Sequence, residues 1–358
     1  MIAFEKTNRF FSGVRKYRFR TVLIIAVFWT VTDLLITLVA HIAHMGDPLK
    51  RLWLRELLVF VMSFGMGYLF VFTLKNAFRN YPLLISFLLK CIILLAAAFL
   101  MNFFVRFIEN KFVIGQSVSD AIGTFFYKAV NMTWLFQKIF YWLVLFIVTQ
   151  LYIEINEKYS PGVFMDIIMG KYRTPKVENR IVMFLDLKDS TPIAEKMGHQ
   201  QYFYFIREFI YDISTALIEH SGRIYQYVGD EIVVSWLNNK HNVKNCLRAV
   251  IDSRKNIQRK MQYYRRRYHQ VPEFRVGIHI GEVTVGEIGV IKKDLAMSGD
   301  TMNTTSRIRS ACNELNQHFI VSDEFMRSSN LADYQVESLG KVDLKGKSNE
   351  IELYALKI

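Results

Sequence analysis

The sequence predicts two units of different fold class, an α-helical bundle of four membrane-crossing helices followed by an α/β domain. Three observations carry this reading. Four long apolar runs lie within the first 153 of 358 residues, strand-like and amphipathic patterns alternate through the remainder, and the chain is 52% hydrophobic with a mean hydropathy above zero. That composition is too apolar for an ordinary soluble protein. The expected division is a basic N-terminus (1–20), a membrane unit (21–153), a helical joint (154–177) and a soluble domain (178–358).

Apolar stretches at 21–41, 57–74, 83–105 and 134–153 each approach the roughly 20 residues that a bilayer crossing needs. An even number of crossings puts both flanks on one side. Six basic residues ahead of the first span (Lys6, Arg9, Arg15, Lys16, Arg18 and Arg20) make that side the cytoplasm. No small-residue cleavage site follows, so the first span reads as an uncleaved anchor. Lys50, Arg51 and Arg55 fall on the expected outer side. Asp33 and Lys90 lie inside the first and third spans, where an isolated charge is costly and usually faces a partner or a cavity. Their depths differ by roughly 7 Å at 1.5 Å per residue, within reach of a lysine side chain, so an Asp33–Lys90 pair is one expectation and separate packing or snorkelling the other.

The joint carries alternating charge over Leu151–Tyr159. Ser160-Pro161 then has the form of an N-cap and first-turn proline. A short helix is expected through Val163, Phe164, Ile167 and Ile168, ending at Gly170. The joint has no Gly/Ser-rich stretch, which favours stiff coupling over a floppy linker.

In the soluble domain, Arg180–Leu187 (RIVMFLDL) reads as a buried strand with Asp186 at its end. Ser190-Thr191-Pro192 opens a long amphipathic helix with Phe205, Phe209, Ile213 and Leu217 on one face. Arg223–Val228 and Glu231–Trp236 are β-rich runs joined by Gly229-Asp230, a tight hairpin with Asp230 at its tip. Strands lying side by side would bring Asp186 and Asp230 to one rim, and two hard carboxylates there suit a pair of magnesium ions. Phe274–Ile280 and Glu282–Ile288 are expected as a strand, a turn and a second strand, with Gly277, Gly281 and Gly286 allowing close backbone approach. These glycines match neither a P-loop nor a dinucleotide fingerprint, so they give no argument for triphosphate binding. Ser298-Gly299-Asp300 opens a helix on which Asn303 and Arg307, four apart, share a face. Val342–Lys347 presents Lys345 and Lys347 in a turn after a strand.

The three cysteines (Cys91, Cys246 and Cys312) are few and widely spaced, which points to a reducing compartment and away from a disulfide scaffold or zinc site. A net charge of +13 suits nucleic acid, anionic lipid or nucleotide phosphates as partners. The basic run Arg254–Arg267 lacks base-stacking spacing apart from Tyr263 and Tyr264 and reads as a solvated helix face. Nucleic acid is therefore not an expected partner.

Five blocks in this order, FLDLKDST, YQYVGDEIV, VGIHIGEVTVGEIG, SGDTMNTTSRI and VDLKGK, resemble the class III nucleotidyl cyclases over residues 178–356. The joint at Glu154–Arg173 is similar to the transducing segment of membrane-bound members. The resemblance implies a ferredoxin-like α/β catalytic domain in which Asp186 and Asp230 hold two Mg2+ or Mn2+ ions, helped by the backbone carbonyl of Leu187. It implies that Asn303 orients the ribose, that Arg307 stabilises charge on the α-phosphate and that Lys345 holds the terminal phosphates. In the family the aspartates come from one subunit and the asparagine and arginine from the other, so a homodimer with two equivalent sites is implied. The reaction implied is in-line attack of the ribose 3′-hydroxyl on the α-phosphorus with loss of pyrophosphate, and no separate general base stands out.

The base-recognition positions depart from the best-known pattern, being Gln226 and Ala296 where adenylate cyclases typically carry lysine with aspartate or threonine. A glutamine amide both donates and accepts and serves adenine or guanine, whereas Ala296 offers no side-chain hydrogen bond. ATP is the expected substrate, because adenylate cyclases are commoner among bacterial members with this layout, and GTP is the alternative. The expected location is the inner, cytoplasmic membrane, in contact with its lipid, with the catalytic domain in the cytoplasm. A silent nucleotide-binding receptor would predict loss of a metal aspartate or of Arg307, and none is lost. A diguanylate cyclase would need a GG(D/E)EF-like hairpin where this chain has VGDEI. A channel or transporter would need more buried polar positions than Asp33 and Lys90 supply.

Overall fold

The computed structural model describes residues 13–44, 52–74, 81–158, 163–291, 293–329, 334–344, 347 and 350–357. They divide into a helical unit, Arg15–Lys158, and a second compact unit that takes in Tyr159–Ile358.

The helical unit comprises α1 (Gly13–His44), α2 (Leu52–Tyr68), α3 (Leu83–Ile108), α4 (Val118–Val130) and α5 (Met132–Lys158), with π-helical turns continuing α2 over Leu69–Leu74 and α3 over Glu109–Ile114. Four stretches (17–39, 55–74, 84–112 and 132–156) are long and apolar enough to cross a membrane, by length and composition. They contain most of each expected span. The sequence reading did not anticipate α4, whose 13 residues are too few for a span and so leave no signal in a search for 20-residue apolar runs. Its Phe125 packs edge-on against Phe99 and Phe103 of α3, with ring centroids 5.5 and 5.2 Å apart. Trp29 of α1 is buried against Trp142 and Phe146 of α5, and its indole N–H donates to Thr149 Oγ1 at 2.9 Å, which satisfies a polar atom that the apolar interior would otherwise strand.

The Asp33–Lys90 pair does not form. Asp33 instead accepts a hydrogen bond from Arg55 Nη2 at 2.6 Å, while Arg55 also bonds Thr37 Oγ1 and lies 3.5 Å from Glu56. Arg55 sits at the start of the second candidate span, near the depth of Asp33, and a guanidinium offers several donors to more than one acceptor at once. Lys90 lies by a small cavity bounded by Tyr17, Gln150 and Glu154, toward the end of the bundle where α1 begins and α5 finishes.

The second unit is an α/β sandwich around one eight-stranded mixed sheet. Its strands are β1 (Lys176–Leu187), β2 (Arg223–Val228), β3 (Glu231–Leu237), β4 (Phe274–Ile288), β5 (Asp294–Ser298), β6 (Phe319–Ser322), β7 (Gln335–Val342) and β8 (Ile351–Lys357), in the order β2-β3-β1-β4-β6-β8-β7 with β5 also on β4. One face is covered by α7 (Ser190–Met197), α8 (His199–Glu219), α9 (Lys240–Arg259) and α10 (Met261–Tyr268). There Ile181, Met183 and Leu185 of β1 meet Phe205, Phe209, Ile213 and Leu217 of α8. Val182 and Phe184 point the other way, into a cluster with Tyr172, Val233, Val283, Val285 and Met302. Both faces of β1 are thus buried, which is why its sequence reads as an unbroken apolar run. The remaining helices are α11 (Asp300–Glu314), α12 (Asp323–Ser328) and the joint helix α6 (Val163–Ile168).

Two expectations are corrected. The single long helix after Ser190 is two helices, because Gly198 takes φ +74° between α7 and α8, a value open to glycine and costly for other residues. The expected strand-turn-strand over 274–288 is one 15-residue strand, paired with β1 from Leu187↔Phe274 to Lys176↔Val285 without a break, so Gly281 lies opposite Arg180 inside the ladder. Gly277 and Gly281 serve helix packing, while Gly286 lies against Pro175. A Cβ on Gly277 would collide with the backbone N of Arg309 and stand 2.9 Å from the Thr305 carbonyl, and one on Gly281 would meet Thr301 Oγ1. In the joint, α6 ends before Gly170, which takes φ +68° as expected, while Ser160-Pro161 lies outside the described residues. Asp166 of α6 accepts from Arg223 Nη1 of β2 at 2.9 Å, tying the joint to the sheet.

Gly277→Ala should destabilise the soluble unit by about 1–3 kcal/mol, because helix backbone must move, and Gly281→Ala by less, because a threonine side chain can rotate. Denaturant unfolding that ranks the two in the opposite order would refute this packing account. In the helical unit, Asp33→Asn and Arg55→Leu should each lower the melting temperature of the detergent-solubilised protein, whereas Lys90→Met should not.

Candidate active site

Asp186 is the penultimate residue of β1. The antiparallel register Leu185↔Ile232 brings that end of β1 beside the β2–β3 turn, where Gly229 takes φ +62° and Asp230 follows. The two aspartates converge at one rim, as the sequence suggested. Burial pushes the Asp186 carboxyl up to about 7; Arg309 opposes the rise, and the neighbouring Asp230 and Glu231 add to it. Asp230 Oδ2 is buried and has no hydrogen-bond donor among the described residues. A carboxylate oxygen shielded from water without a donor is unfavourable by a few kcal/mol in typical proteins, and a bound cation removes that penalty. The pair therefore fits a divalent metal. No group of three or more His, Cys, Asp or Glu placed to hold a metal ion together occurs among the described residues. Two carboxylates without a closed cage suit Mg2+ or Mn2+, which keep coordination positions for water and phosphate oxygens. Leu187, next in the chain, is buried opposite Phe274.

Arg309 and Glu231 are site residues that sequence reasoning missed. Arg309 Nη1 lies 3.2 Å from Asp186 Oδ2, while its Nε and Nη2 donate to Glu231 Oε2 at 3.1 and 2.8 Å. The only signal in the sequence was adjacency, Glu231 following Asp230 and Arg309 lying two residues beyond Arg307. Helical geometry turns that short spacing into opposite directions, since two residues span roughly 200° of arc. Arg309 points at its own chain's aspartates, so Asn303 and Arg307 face away from them. Neither Asn303, which is exposed, nor Arg307, which is half-buried, has a side-chain hydrogen bond or ion pair among the described residues.

The base-recognition candidates lie on β2 and β5. Gln226 sits exposed at a bulge in β2, opposite Val233, and Ala296 lies in β5 opposite Gly286 of β4. β5 folds back toward β3, since Met297 Sδ lies 3.6 Å from Ser235 Oγ, and Tyr225, Leu295 and Met297, neighbours of the two positions, pack against one cluster. Lys345 lies outside the described residues. Lys347 binds Asp300 Oδ2 at 2.5 Å at the start of α11, a contact that holds the Asp300 carboxyl below its usual range.

With this geometry in hand, comparison with known proteins is informative. The profile of the family described as "Adenylate and Guanylate cyclase catalytic domain" matches residues 172–358, slightly more than half of the chain. Adenylate cyclase 2 of Rhizobium meliloti is 29% identical over 206 residues, covering 57% of each chain. Adenylate cyclase of Anabaena cylindrica is 25% identical, covering 56% of this chain and 42% of its own length. Human retinal guanylyl cyclase 2 is 27% identical over 144 residues, covering 39% of this chain and 13% of its own. The chain thus spans about half the length, or less, of these relatives. A bacterial light-regulated adenylyl cyclase of known structure aligns with TM-score 0.52 at 17% identity, over 60% of this chain and 62% of that one, a likeness of fold. The match over 172–358, on a mixed sheet that carries Asp186 and Asp230 at one rim, places this chain in the family of adenylate and guanylate cyclase catalytic domains.

Proposed function

We propose that the chain is a membrane-anchored adenylate cyclase that converts ATP to 3′,5′-cyclic AMP and pyrophosphate at sites formed between two copies. The observation that carries this reading is the convergence of Asp186 and Asp230 with a buried carboxylate oxygen that has no donor among the described residues, on a helix-backed rim whose Asn303 and Arg307 face elsewhere. The named adenylate cyclases among its relatives support ATP. GTP is the second reading, left open by Gln226, whose amide complements either purine edge.

Asp186 and Asp230, with the Leu187 carbonyl, would hold two Mg2+ or Mn2+ ions. When bound, these supply charge neutralisation at the triphosphate and acidify the ribose 3′-hydroxyl. Asn303 of a second copy orients the ribose so that its 3′-oxygen stands in line with the bond that breaks. As the 3′-oxygen bonds to the α-phosphorus, the bond to the bridging oxygen of the β-phosphate breaks and pyrophosphate departs. Arg307 offsets the negative charge gathering on the α-phosphate, and Lys345 holds the terminal phosphates that become the leaving group.

Two features support a homodimer. The Asp186/Asp230 pair and the Asn303/Arg307 pair cannot serve one substrate within a chain, whereas a two-fold arrangement supplies both to each of two sites. The β4–β5 hairpin also exposes Ile288, Val290 and Ile291, at 59%, 90% and 99% of their surface, an apolar tip that a second copy can cover. The four candidate spans, with basic residues ahead of the first, support anchoring in the cytoplasmic membrane and a cytoplasmic catalytic unit.

Membranes bearing the protein, given equimolar ATP and GTP with Mn2+, should yield mainly cyclic AMP by mass spectrometry. Dominant cyclic GMP would reverse the substrate assignment, and absence of both would defeat the enzyme reading. Asp230→Ala should abolish product without lowering the melting temperature. Co-expressing Asp230→Ala with Arg307→Ala, each inactive alone, should restore about a quarter of the activity, because about half of the dimers are mixed and each mixed dimer has one intact site. No recovery in a mixture shown to contain mixed dimers would overturn the shared-site arrangement.

A further inference from the structure

A cavity of about 530 Å³ lies in the soluble unit where β4 and β6 begin and β8 ends, beside α9 and α10. Its volume falls in the range of small-molecule sites, about 300–1,000 Å³. The buried side chains of Ile257, Phe274, Phe319 and Leu356 give it an apolar floor. Charged groups at its mouth decide what it accepts. Lys357 is paired with Glu337 at 2.9 Å, and Glu273 with Lys188 at 2.9 Å, so these four cancel. Arg254 also lines the cavity, and its guanidinium has no carboxylate or hydrogen-bond partner among the described residues.

An apolar floor with one uncompensated guanidinium selects an organic body bearing a single negative charge. A nucleoside triphosphate is a poor match, since the one guanidinium left unpaired among the described lining residues cannot neutralise its several charges. A wholly apolar guest would leave Arg254 partly stripped of water without a partner. We propose that this cavity binds an amphipathic monoanion, an aryl or short-chain acyl carboxylate, with its carboxylate on Arg254 and its hydrocarbon against Phe274, Phe319 and Leu356.

The site is separate from the proposed catalytic rim yet linked to it by backbone. Glu273 and Phe274 form one wall of the cavity, Phe274 lies opposite Leu187 in the β1–β4 ladder, and the Lys188 N–H donates to the Glu273 carbonyl at 2.8 Å. A guest on Phe274 thus braces the strand end that follows Asp186.

The test uses the full-length protein in lipid nanodiscs, titrated calorimetrically with 4-phenylbutyrate and with its neutral isostere 4-phenylbutanamide. The wild type should bind the carboxylate about tenfold more tightly than the amide, the worth of one charge-assisted hydrogen bond. Arg254→Gln, at an exposed position that folding tolerates, should erase that difference. Met261→Trp, which places an indole in the cavity, should abolish saturable binding of both probes while the melting temperature shows the chain still folded. Equal affinity of the wild type for the two probes, unchanged binding in either variant, or no saturable binding at millimolar probe would each overturn the proposal.

Discussion

The close approach of α11 to β4 is the constraint on which the α/β unit depends. On one side of the strand, Gly277 leaves room for the backbone of α11 and Gly281 for its Thr301 side chain. With the helix seated there, Arg309 reaches Asp186 and Glu231, and the rest of α11 follows as a rigid body. Asn303 and Arg307 are then directed outward by helical periodicity alone. A packing requirement in the core thereby decides which side chains serve the chain's own rim and which are free to serve another copy.

At that rim the electrostatics are finely opposed. Burial and two neighbouring carboxylates favour the protonated form of Asp186, while the Arg309 guanidinium favours the ionised one. Glu231 fixes Arg309 through two hydrogen bonds, so the positive charge stands in one place. Asp230, at the tip of a hairpin that glycine turns, is left with an oxygen that no donor among the described residues reaches. A site that is short of positive charge and already ordered suits divalent cations, because little reorganisation is needed when they bind.

The helical unit follows the same rule of paired polar groups in an apolar setting. Trp29 finds Thr149 and Asp33 finds Arg55, each across two helices. At the joint, Asp166 holds Arg223, the first residue of the strand that carries Gln226 and leads to Asp230. The helical joint is therefore anchored to the hairpin that bears part of the proposed site.

Much of this was legible in the chain itself. Apolar runs of bilayer length, the buried pattern of β1 and the β2–β3 hairpin are local properties, written in hydropathy and turn residues within short windows. The convergence of Asp186 and Asp230 was legible too, because each sits at the end of a strand whose neighbour could be inferred. What the tertiary structure alone decided involves partners distant in sequence. Lys90 was a plausible mate for Asp33 by depth, but Arg55 wins through helix placement and a longer, multiply donating side chain. Gly281 looked like a turn residue, since a glycine that makes room for another element carries the same letter as one that bends the chain. Arg309 beside Arg307 gave no hint of serving the opposite side, because only the seating of α11 tells which face of the helix looks inward.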